Sequence, residues 1–149
     1  MGITVLRHRT HTNDRGFSLV ELLVVIIVIG VLAAIAIPIY LDHQAKAKDS
    51  VAQSDAMNLG IQIRAAFDED TTAVTVTADT TAGVYKVNGE AVLGISPGVE
   101  FVGFTGSAID DWCVQLKNPG GYVSNEPGVS FDSARGYVEN TACAALATP

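Results

Sequence analysis

Hydrophobic and polar positions divide the chain into three regimes. Residues 1–16 are polar and basic, with no apolar periodicity. Phe17 to Leu41 is a nearly continuous apolar run, unbroken from Leu22 to Ala36, in which Glu21 is the only side chain that carries charge at neutral pH. At about 1.5 Å of rise per residue this run crosses a bilayer as a helix. Beyond Tyr40 the pattern turns amphipathic: Ala45, Ala52, Ala56, Leu59, Ile63 and Ala66 recur at steps of three, four or seven. Asp42, Lys46, Asp49, Gln53 and Arg64 fall mostly off that line, as on a surface helix with one buried stripe. No turn cluster separates the two parts, so the spacing predicts one helix from about residue 17 to 67, ~75 Å long.

Asp68-Glu69-Asp70 ends the helical pattern, and 71–83 reads as a Thr/Ala-rich loop. From Val84 the period changes to two. Val84–Val87 and Glu90–Leu93 flank Asn88-Gly89, a hairpin signal, because both positions of the favoured two-residue turn need positive φ. Val99–Thr105, Asp111–Lys117 and Val129–Ser133 alternate as further strands, the last turning toward Tyr137-Val138. In Asp111–Lys117, Trp112, Val114 and Leu116 take one face, and Cys113 and Gln115 take the other. About four antiparallel strands against half a helix make an α+β domain, with Trp112 as a core anchor.

Charge sharpens this division. The chain carries a net −7, but residues 1–16 hold Arg7, Arg9 and Arg15 against Asp14. The rest therefore holds six basic against fifteen acidic residues, a net of −9. Such a surface argues against direct nucleic-acid binding, which needs a basic stripe. Basic residues before an apolar span stay cytoplasmic, so the start faces in and the bulk faces out.

Three readings of the apolar run compete. Ala34-Ile35-Ala36 offers a signal-peptidase site, which would release an exported binding module, but the run exceeds the usual ~7–15 residues and carries Glu21 near its start. A permanent single-pass anchor leaves Glu21 without a task, although an acid inside a membrane calls for a partner. Cleavage after Gly16 places a new ammonium on Phe17, four residues before Glu21, and so creates a counter-charge.

Gly16-Phe17-Ser18-Leu19-Val20-Glu21, with the apolar residues through Pro38, resembles the class III signal of type IV pilins and type II secretion pseudopilins. The resemblance covers about the first third of the chain. It implies a cleaved basic leader (1–16), a membrane and filament-core helix (17–41) and a globular pilin domain (42–149). It further implies that a prepilin peptidase cuts between Gly16 and Phe17 and methylates the new amine. Glu21 then pairs with the terminal amine of a neighbouring subunit during assembly into a helical homopolymer. A membrane platform and an assembly ATPase drive that step, and membrane lipid holds the subunit beforehand. Gly30 and Pro38 weaken the helix, through backbone entropy and a lost N–H, so the stretch between them is a candidate for unwinding when subunits pack.

Cys113 and Cys143 are the only cysteines, both in the exported part. A bridge would close a loop of about 31 residues, for roughly 3–4 kcal/mol by chain entropy, and an oxidising exterior favours it over two free thiols. The pair also resembles the disulfide-bounded C-terminal loop of many pilins. No catalytic set appears: His43 is the only histidine beyond the leader, and no phosphate loop or metalloprotease motif occurs. Asp68, Asp70 and Asp79 lack the Gly and Glu of a calcium-binding EF-hand loop. Asp110-Asp111 points to opposite sides of a strand. The sequence reads as a non-enzymatic filament subunit without cofactor or metal, held in the membrane and then carried on a surface pilus. A pseudopilin of a secretion or competence system remains the alternative.

Overall fold

The computed structural model describes residues 16–67 and 73–143, so the leader up to residue 15 and the acidic stretch Asp68-Glu69-Asp70 lie outside the described residues. One helix, α1 (Leu19–Ala66), runs without a break through Gly30 and Pro38. Contacts divide the chain after Pro38. The first unit is the apolar helix start, described below.

In the second unit, α1 lies against two antiparallel sheets. The first has the order β1 (Val76–Asp79), β2 (Val84–Val87), β3 (Glu90–Gly94). The second has the order β4 (Glu100–Ala108), β5 (Asp111–Lys117), β6 (Val129–Asp132), β7 (Gly136–Val138). A single small sheet was the expectation; there are two, because β3 and β4 follow each other in sequence without pairing. The expected loop at 71–83 also contains β1, whose Val76 lies opposite Val87. Val76 and, just ahead of the strand, Val74 are both buried, and these two valines dock a strand otherwise made of Thr, Ala and Asp. The β2–β3 hairpin turns at Asn88 and Gly89, with φ of 52° and 85°, as the dipeptide requires.

The core joins all three elements. Ala52, Ala56, Leu59 and Ile63 of α1 are fully buried against Tyr85 and Val87 of the first sheet and Val114, Leu116 and Val129 of the second. Ala45 and Ala66, at the ends of the expected stripe, are only half-buried. Trp112 is buried as expected and stacks on Phe131, ring centroids 5.8 Å apart. Phe131 in turn presses on α1: a Cβ built on Gly60 would overlap its ring. A helical glycine costs about 1 kcal/mol relative to alanine, and here it is needed for the close approach.

Two carboxylates on α1 fasten the sheets to the helix, and hydrophobic patterning missed both. Asp55 is buried and accepts from the Tyr85 hydroxyl (3.1 Å) and from the Ser96 N–H and hydroxyl (3.0 and 2.7 Å). Burial, with the Asp55 charge beside it, pushes the Tyr85 phenol well up, so it remains a donor. Asp49 accepts N–H bonds from Tyr122, Val123 and Ser124 and a hydroxyl bond from Ser124. Burial alone would raise the Asp49 carboxyl; the Ser124 hydroxyl and these three N–H groups outweigh it and hold the carboxyl below its ordinary value.

Cys113 and Cys143 form a disulfide, with Cα atoms 5.8 Å apart. Gln115, on the same side of β5 as Cys113 and opposite Trp112, is also buried. Its amide donates to the Pro127 carbonyl at 2.6 Å and accepts from the Cys143 N–H at 3.0 Å. The C-terminal segment is thus tied to β5 by one covalent and one polar link, and the second Gln115 bond holds the connection between β5 and β6. The fold is α+β: a long helix, two small antiparallel sheets and a disulfide-bounded C-terminal loop.

Candidate functional site

The apolar start of α1 is chemically the most unusual part of the chain. Every large apolar residue from Leu19 to Leu41 is exposed, and none of the membrane-length window is buried against the chain itself. No water-soluble helix of this length leaves all faces apolar; such a surface needs lipid or other helices. Gly30 has open space around it, and Pro38 sits inside intact helix.

Gly16 and Phe17 precede the helix, with Phe17 at 86% exposure, so the bond between them is accessible. Ser18 caps the helix. Its hydroxyl accepts the Glu21 N–H at 3.1 Å, and a Glu21 carboxylate oxygen accepts the Ser18 N–H at 2.9 Å. This reciprocal pair is a capping box, which satisfies two of the orphan donors of a helix start. Glu21 therefore has a hydrogen-bond partner in its own chain, where the reading as a permanent anchor left it without a task. Ser-x-x-Glu ahead of an apolar run is the sequence signature of such a box, and that spacing was the signal overlooked. The box supplies donors but no positive charge, so Glu21 remains open to a cationic partner.

The remaining sequence candidates are scattered. Asp79, weighed as a cation ligand, accepts from the Ala82 N–H and forms an ion pair with Lys86 at 2.7 Å. Asp110 and Asp111 line a shallow cavity of about 330 Å³ beside Cys113, with Trp112, Asp132 and Arg135. Arg135 is paired with Asp132 at 2.7 Å. Among the described residues no His, Cys, Asp and Glu gather into a group able to hold a metal ion.

A family profile described as the prokaryotic N-terminal methylation motif matches residues 11–37. The chain is 41% identical over 61 residues to the type IV major pilin protein PilA of Myxococcus xanthus, covering 41% of this chain and 28% of that protein. Over 36 residues it is 62% identical to the fimbrial protein EcpB of Eikenella corrodens, 24% of this chain and 23% of the relative. Over 42 residues it is 48% identical to the type IV major pilin protein PilE1 of Neisseria gonorrhoeae, 28% of this chain and 26% of the relative. The N-terminal segment thus carries the methylation motif and is similar to the corresponding segment of type IV major pilins. It spans only about a quarter of the length of the curated relatives it matches. No solved structure matches it significantly. The likeness is confined to the stretch that holds Gly16, Phe17, Glu21, Gly30 and most of the apolar run, while the sheets are known from the fold alone.

Proposed function

We propose that this chain is a filament subunit, a type IV pilin. A prepilin peptidase cuts it between Gly16 and Phe17 and methylates the new amine. The helix over 17–41 holds the product in the membrane with its start at the cytoplasmic side, and residues 42–149 stand outside. An assembly platform and its ATPase then draw the subunit into a homopolymer on the cell surface, which serves adhesion, motility or DNA uptake. One observation carries this reading: the methylation motif runs directly into a helix whose apolar surface has no cover within its own chain. Lipid covers that surface before assembly, and the same segment of neighbouring subunits covers it afterwards.

Glu21 has the central role. An acid in an apolar medium is stabilised most by a cation, which the capping box lacks. On assembly Glu21 meets the Phe17 amine of a neighbour, and this contact sets the axial register. The helix between Gly30 and Pro38, intact in the single chain, unwinds if packing in the polymer demands a change of direction there. The named relatives favour a pilin over a secretion pseudopilin, since those matched are called major pilins or fimbrial proteins.

Glu21→Gln tests the assembly role, because it keeps the side-chain shape and removes the charge. Processed protein in the membrane should persist while sheared surface filaments fall sharply. Normal filament yield would show that the ion pair does not set register.

A further inference from the structure

Two tyrosines meet the helix at the level where its apolar run ends. Tyr40 is the last residue but one of that run and is 62% exposed. Tyr122 comes from a distant turn and is 60% exposed. Its backbone N–H is fixed by Asp49, 73 positions away in sequence, at 3.0 Å. Its hydroxyl is directed at the Asp42 carboxylate, which also binds the Lys46 ammonium at 2.7 Å. Asp42, Lys46 and Asp49 are spaced i, i+4, i+7 and share one face of α1. Tyr40 lies about 160° round the helix from Asp42 and about 3 Å along its axis. The chain therefore presents an aromatic ring on either side of α1 at one height.

That height is informative. The twenty residues Leu22–Leu41 span about 30 Å as helix, the thickness of a bilayer's hydrocarbon core. Asp42 is the first residue beyond it, so both rings fall at the edge of the core. Tyrosine belongs there because its ring is apolar and its hydroxyl is polar. The Tyr122 ring is not needed to hold its own turn, since the Asp49 bonds are made by main-chain N–H groups and Ser124.

We propose that Tyr122 and Tyr40 form an aromatic collar that contacts the headgroup layer of the membrane before assembly, with the Asp49-bound turn holding Tyr122 at that depth. This rests on the membrane reading above, and the test separates the two. The full chain is placed in phosphatidylcholine vesicles carrying a nitroxide on the headgroup or deep in the acyl chain. Buried Trp112 supplies a constant background, to be subtracted. A Leu32→Trp variant reports insertion of the apolar run, and a Tyr122→Trp variant reports the collar. Trp at 32 should be quenched most by the deep label, and Trp at 122 should lose most of its emission to the headgroup label. Insertion at 32 without quenching at 122, or with stronger quenching at 122 by the deep label, overturns the collar alone. No quenching at 32 overturns the membrane reading and the collar with it.

Discussion

Asp49 and Ser124 lie 75 positions apart and are joined twice, by the Ser124 N–H at 2.9 Å and its hydroxyl at 2.7 Å, both donated to one carboxylate oxygen. Through this contact the turn after β5 is fastened to α1, with the Tyr122 and Val123 N–H groups completing the set. A helix-borne carboxylate thus replaces the hydrophobic packing that a short Gly-rich turn cannot supply.

Asp49→Ala should lower stability by about 2 kcal/mol, since several partly buried donors lose an ionised acceptor. Denaturant titration in detergent, followed by Trp112 fluorescence, measures it. The same group makes stability depend on pH. Its folded pKa is depressed, so its contribution is full above the unfolded value, about pH 4, and is lost as pH falls through the folded one. Asp49→Ala should therefore flatten the acid limb of the stability profile. An unchanged acid limb would remove Asp49 from that role.

Gly60→Ala sets two effects against each other. Alanine improves helix propensity by about 1 kcal/mol, but its methyl overlaps the Phe131 ring, and overpacking costs about 1–3 kcal/mol. Steric cost should win, giving a net loss of stability and a shifted Trp112 emission, because Trp112 stacks on Phe131. Stabilisation instead would mean that α1 and β6 are less tightly packed.

Cys113→Ser with Cys143→Ser should cost about 2–4 kcal/mol. Gln115 should still hold the C-terminal segment, through the Cys143 N–H. Adding Gln115→Leu should release it, read as new protease cleavage beyond Val138, the end of β7. Equal cleavage with and without Gln115→Leu would show that the disulfide acts alone.

Local signals made much of the fold legible. Helical spacing marked the buried stripe of Ala52, Ala56, Leu59 and Ile63, Asn88-Gly89 marked its hairpin, and the chain's two cysteines marked a bridge. What escaped depends on partners far away in sequence. Asp49 and Asp55 look like solvent-facing helix residues until Ser124 and Tyr85 arrive beside them. Gln115 is only a polar residue opposite Trp112 until Cys143 arrives beside it. β1 escaped because only two of its neighbourhood's residues, Val74 and Val76, carry the apolar signal. At the candidate site the failure was different: Ser18 and Glu21 are three residues apart, and their capping box was overlooked because the acid was read only as a charge.

Everything functional depends on where the mature chain starts. Mass spectrometry of the N-terminal peptide from the membrane-bound protein decides this. The proposed function predicts a peptide that begins at Phe17 and is one methyl group heavier than the sequence gives. A chain beginning at Ile37, after Ala36, or one that retains the leader through Gly16, would contradict it.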